Sequence, residues 1–82
     1  MSYQKIKTID ELKNLSSTHE GFEGFILLNG CMRSSKHMWY QPQWEHFEVL
    51  NEIDGSSENI DEDKFMDSFI GKAMKEGCLY KY

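Results

Sequence analysis

The chain has 82 residues and a formal net charge of −5, with 14 Asp and Glu against 9 Lys and Arg. A chain this short buries only about 60% of its unfolded surface, which argues against a large catalytic cleft, and its excess of acids repels a phosphate backbone. Its 39% hydrophobic and 13% aromatic content is that of a folded chain rather than a disordered one, and a single domain over residues 1–82 is expected.

Thr8 and Glu11 have the spacing of a capping box, in which each side chain satisfies a backbone N–H at a helix start. They predict a helix over residues 9 to about 15, with Ile9, Leu12 and Leu15 on one face and Ser16-Ser17-Thr18 ending it. Phe25, Ile26, Leu27 and Leu28 then form an apolar run too short for an isolated helix and closed by Asn29-Gly30. That pattern predicts a central strand covered on both faces, a tight turn, and re-entry into a strand near Ser34.

Pro42 separates two aromatic segments, 36–40 and 44–51, and its fixed φ suits the second position of a type I turn over residues 41–44. With that turn, Met38 and Tyr40 share a face with Phe47 and Val49, while His37, Trp39 and His46 lie on the other. Residues 54–57 read as a turn and loop, and Asp61, Glu62 and Asp63 crowd a helix start, where the macrodipole favours acids. Phe65, Met66, Phe69, Ile70, Ala73 and Met74 recur at helical spacing as a core stripe. Ser68 can cap a second helix after a break near Asp67, Gly77 ends it, and residues 79–82 offer a short terminal strand. The expected fold is therefore α+β: a three-stranded antiparallel meander with a short N-terminal helix and a C-terminal helix or helix pair packed on one face.

The soft ligands are Cys31, Cys78, His19, His37 and His46. No pair of them has the CxxC or HxxxH spacing that brings two donors to one metal from a single element. A metal site would need three separate elements to converge, so neither a metal nor a cofactor is expected. An EF-hand reading fails because setting Gly55 sixth puts Leu50 in the first ligand position, although Glu52, Asp54 and Asp61 fall at others. Cys31 follows a Gly turn and precedes Arg33 and Lys36, which makes it the better placed thiol for reactivity. Without room for a cleft no enzyme is expected, and both cysteines are read as free thiols. No basic segment followed by an apolar one opens the chain, and no apolar run nears the roughly 18 residues of a membrane span, so a cytoplasmic protein without membrane contact is expected.

Two surfaces are candidates for recognition. His37, Trp39, Trp44 and His46 offer large amphipathic side chains on the outer face of the hairpin, and Glu62, Asp63 and Asp67 offer acids to a basic partner. The step Arg33-Ser34-Ser35-Lys36 is an alternative, with two cations and two hydroxyls able to hold a phosphate. The simpler role for Lys36 there is to answer Glu45 or Glu48 across the hairpin.

Residues 25–80 also carry a pattern: Leu27-Leu28-Asn29-Gly30, then Arg33-Ser34-Ser35-Lys36, an aromatic strand, Asn51-Glu52-Ile53-Asp54, Ile70-Gly71-Lys72-Ala73 and Gly77-Cys78-Leu79-Tyr80. This resembles small uncharacterised proteins of bacteria and their phages. The resemblance implies no activity and no site residues; it implies a mobile-element setting, in which a compact inhibitor such as an anti-CRISPR or other anti-defence factor is expected. The expectation is thus a non-enzymatic monomer or weak dimer that contacts a protein with a basic surface. A phosphate or nucleic-acid binding module using Arg33, Lys36 and the aromatics Trp39 and Trp44 is the alternative, and the negative charge opposes it.

Overall fold

The apolar run at Phe25 belongs to the third strand across a six-stranded, wholly antiparallel sheet. A computed structural model describes residues 3–82, except for the side chain of Arg33. In chain order the elements are β1 (Gln4–Lys5), α1 (Ile9–Ser16), β2 (Phe22–Leu28), β3 (Cys31–Gln41), β4 (His46–Asn51), β5 (Ser57–Asp61), α2 (Glu62–Phe65), α3 (Phe69–Lys75) and β6 (Leu79–Lys81). Across the sheet the order is β1-β6-β2-β3-β4-β5.

The expected α+β fold with a three-stranded meander is therefore wrong: the domain is mostly β, and its sheet has twice that number of strands. The meander β2–β3–β4 continues into β5, and the terminal strands β6 and β1 add to the other side of β2. Both edges escaped the sequence pattern for a physical reason. β1 is two residues long, and β5 holds a single apolar residue, Ile60, among Ser, Glu, Asn and Asp, which are poor strand formers. Their pairing comes from the neighbouring strand rather than from their own composition.

The connections that the sequence does encode form as expected. Asn29 and Gly30 take φ of 52° and 76°, the positive values of a two-residue hairpin turn that pairs Leu28 with Cys31. The Trp44 N–H donates to the Gln41 carbonyl at 3.1 Å, closing the turn around Pro42, and β4 re-enters with Gln41 opposite His46. The resulting register puts Met38 opposite Val49 and Tyr40 opposite Phe47 on one face, with His37, Trp39 and His46 on the reverse. The Thr8 hydroxyl accepts from the Glu11 N–H at 3.2 Å, but the Glu11 carboxylate returns to the Lys7 N–H at 3.1 Å, one residue before the usual reciprocal partner.

All three helices pack on one face of the sheet. Leu12 of α1, Phe65 of α2, and Ile70, Ala73 and Met74 of α3 join Phe22, Ile26, Met38, Phe47, Val49 and Leu79 in one buried cluster. The break between α2 and α3 falls where expected, with the Ser68 hydroxyl accepting from the Gly71 N–H at 3.2 Å. Gly71 is required there because a Cβ would strike the Phe65 carbonyl. A Schellman motif ends α3: the Cys78 N–H donates to Ala73 at 2.8 Å and the Gly77 N–H to Met74 at 3.0 Å, with Gly77 at φ 75°. The expected apolar stripe is broken at one position. Phe69 is 57% exposed, because the helix break re-aims the first residue of α3 away from the sheet.

Candidate partner-binding site at the hairpin tip

The β3–β4 loop and the β5–α2 junction are far apart in sequence and adjacent in space. The cause is the pairing of β4 with β5, which sets His46 opposite Asp61 and carries the loop over the helix start. A backbone bond seals the contact, with the Glu62 N–H donating to the Glu45 carbonyl at 2.9 Å. Glu45 has a φ of 51°, the left-handed conformation that closes a four-residue loop. Between the two segments lies a hollow of about 480 Å³ lined by Ile9, Trp44, Glu45, Asp61, Glu62 and Asp63. Trp44 stands at its rim, 69% exposed.

The acids of this hollow are not equivalent. Glu62 is held from below: Lys13 Nζ of α1 lies 2.9 Å from its carboxylate, and the Tyr40 hydroxyl donates to it at 2.5 Å. The Lys13 ammonium first, and the Tyr40 hydroxyl second, hold the Glu62 carboxyl below its ordinary range. Reciprocally, the Glu62 carboxylate raises both Lys13 and Tyr40, and the Lys13 ammonium sits over the Tyr40 ring at 4.9 Å from its centroid. Glu62 thus serves as a strut between α1, β3 and α2. Glu45, Asp61 and Asp63 are exposed, with no ion pair among the described residues, and they give the hollow its negative charge.

The remaining sequence-predicted residues lie elsewhere. Trp39 is half-buried in the middle of β3 on the helix-free face, stacked on His37 with ring centroids 4.0 Å apart. It leans over the 17–21 loop so closely that a Cβ at Gly21 would come within 2.7 Å of its Nε1. His46 shares that face; its Nε2 is buried without a hydrogen-bond partner and lies 4.0 Å from a Glu48 carboxylate oxygen. Asp67 is exposed at the corner between α2 and α3 and does not line the hollow. The structure brings together Trp44, Glu62 and Asp63, and leaves His37, Trp39 and His46 as a separate patch.

The alternative anion step does not form one cradle. Alternation along β3 turns Ser34 and Lys36 to the helix side, 6% and 8% exposed, and Ser35 to the other face, where it shares a hydrogen bond of 3.0 Å with the Tyr82 hydroxyl. The Arg33 side chain lies outside the described residues. The expected pairing of Lys36 with Glu45 or Glu48 fails for the same reason, since Glu48 lies opposite Trp39 on the reverse face and Glu45 in the hairpin loop. Both thiols are free, Cys31 exposed and Cys78 half-buried.

Sequence reasoning named Trp44, Glu62 and Asp63 and placed Asp61 among the acids of the helix start, but it missed Ile9 and Glu45 and the pairing of β4 with β5 that brings the loop to the helix start. No helix among the described residues is long and apolar enough to cross a membrane. No family model, curated protein or solved structure matches the chain.

Proposed function

We propose that this protein is a small binding module, not an enzyme, that takes a basic segment of a protein partner into the acidic hollow beside Trp44. The observation that supports this reading is the convergence of an exposed indole with three unpaired carboxylates, Glu45, Asp61 and Asp63, on one concave surface. An Arg or Lys side chain entering the hollow meets both carboxylates and an indole, and each attracts a cation. Ile9 supplies an apolar floor for its methylene stem. The Glu62 strut holds the hollow in shape before any partner arrives, which lowers the ordering cost of binding.

In the mobile-element setting that the resemblance implies, such a surface suits a cytoplasmic inhibitor of a host system, of anti-CRISPR or other anti-defence type, that occupies a basic groove. The net charge of −5 steers the molecule to such a groove and away from nucleic acid. The test uses an Arg- and Lys-containing peptide and a Glu- and Asp-containing control, with Trp39→Phe leaving Trp44 as the reporting indole. Binding of the basic peptide is expected to shift Trp44 fluorescence, to weaken as salt rises, and to be lost in a Glu45→Gln, Asp61→Asn, Asp63→Asn variant. Equal affinity of that variant and its parent for the basic peptide would overturn the reading.

A further inference from the structure

The helix-free face of the sheet carries a second constellation, and its parts come from three elements. Glu23 of β2 lies directly opposite His37 of β3. Glu52 follows the end of β4, where its N–H donates to the Ser35 carbonyl at 3.0 Å and so fixes the backbone two residues from His37. One donor atom from each of the three side chains lies within 4.8 Å of the others. We propose that Glu23, His37 and Glu52 form a binding site for a divalent transition-metal ion of the zinc class.

The hydrogen bonding of the imidazole leaves one ring nitrogen able to bind a metal. His37 Nε2 is 2.6 Å from the Glu20 carbonyl oxygen, and because a carbonyl only accepts, Nε2 carries the proton. In the neutral ring this leaves the Nδ1 lone pair free. Donation of the second ring N–H to a backbone carbonyl is the usual support of a metal-bound histidine. A further restraint fixes the ring plane, since Trp39 stacks on it with an interplanar angle of 20°.

The carboxylates supply a separate argument. Glu23 and Glu52 are exposed, and neither belongs to an ion pair among the described residues. Two negative charges are therefore held close together by the backbone pairing, without an ion-pair partner among the described residues, and a divalent cation removes their repulsion. Carboxylate and imidazole donors bind zinc at about 2.0–2.2 Å, so the site closes by a small swing of two exposed side chains. One nitrogen and two oxygens on one side of the ion leave its solvent side to water. The imidazole selects zinc, iron, nickel or copper over calcium and magnesium, which prefer oxygen alone.

The stacking of Trp39 on His37 provides the readout. Trp44→Phe leaves Trp39 as the only tryptophan of the chain, and nickel chloride, whose ion quenches fluorescence at short range, is the probe. The expected result is saturable quenching of Trp39 that zinc chloride reverses by competition. In the same background Glu23→Gln and Glu52→Gln, singly and together, should raise the nickel concentration at half-quenching by about 10-fold or more, since loss even of a supporting group costs that much. Both side chains are exposed, and an unchanged far-ultraviolet circular dichroism spectrum checks that the variants fold. Absence of saturable quenching up to millimolar nickel would overturn the proposal. So would equal half-quenching concentrations in the parent and all three carboxylate variants, which would put the ion on other donors such as His19 or Cys31.

Discussion

The two faces of the sheet solve the same burial problem with different materials. On the helix side, Phe22, Met38 and Phe47 are fully buried beneath α1, α2 and α3, with Phe47 packed on Phe65 at 4.4 Å between ring centroids. On the reverse side no helix covers Phe25, which is nonetheless only 3% exposed. Its cover is a ring of tyrosines: Tyr3 meets it edge-on at 5.0 Å, Tyr80 stacks at 5.5 Å, and Tyr82 tilts against it at 5.0 Å. Tyr3 and Tyr82 are themselves about half exposed, at 48% and 47%. The helix side is a sealed core, whereas the tyrosine side is a thin lid. The contrast explains why the open face can carry polar groups such as Glu23 and His37 within the same strands that carry the core.

The sharpest way to break this contrast is to truncate one phenylalanine on each face. Phe47→Ala removes a ring enclosed by sheet and helices, and it should cost about 3–5 kcal/mol in urea unfolding. A loss that large is comparable to the whole stability of a domain this size. Phe25→Ala should sit at the low end, about 3 kcal/mol, because the half-exposed tyrosines can collapse into the space that the ring leaves. Equal losses would show that the tyrosine lid is as rigid as the helical layer.

The strut beneath the hollow can be probed through acid. Because the folded Glu62 carboxyl lies below its ordinary range, the unfolded chain binds more protons there as pH falls. The strut's contribution is complete above the ordinary carboxylate range and is lost as pH drops through the depressed folded value. Asp54, held low by the Ser56 hydroxyl and N–H, adds to the same acid limb. Lys13→Met removes the larger cause for Glu62 and leaves Asp54 untouched, so unfolding followed from pH 7 to pH 3 should show a shallower acid loss than in the parent. Parallel curves would mean that Tyr40 alone holds the carboxylate.

The smallest effect is expected at Phe69. Composition and spacing place it with Phe65 in a single stripe, but at 57% exposure its truncation to alanine should change stability by no more than about 0.5 kcal/mol. A loss of several kcal/mol would return Phe69 to the core and extend the sealed side around α3.

These cases show which parts of the molecule were legible in the sequence. Turns carried by Asn29-Gly30 and by Pro42 announce themselves, because their backbone angles admit few residue types. The register that they set then assigns Met38, Tyr40, Phe47 and Val49 to one face without further information. Edge strands are different, since β5 offers the core only Ile60 and its Ser, Glu, Asn and Asp residues look like loop. The candidate site inherits that limit: Trp44 was visible as an aromatic and Asp61 and Asp63 as acids, but only the pairing of β4 with β5 brings them together. The same holds for Glu23, His37 and Glu52, which share no local spacing and meet only through the pairing of β2 with β3 and the backbone bond from Glu52 to Ser35.

The position of β6 has a consequence for how the chain reaches this state in the cell. β6 follows every other element in the chain yet sits inside the sheet, between β1 and β2. While the polypeptide is still emerging from the ribosome, β2 presents an unpaired edge next to Phe25 and Ile26, and β1 has nothing to pair with. An apolar edge of that kind recruits other nascent chains, and it is silenced only when residues 79–81 slide into the slot. Completion of the sheet therefore waits for β6, and a chain that stops before Leu79 loses both the strand that joins β1 to β2 and the means of hiding its most adhesive edge.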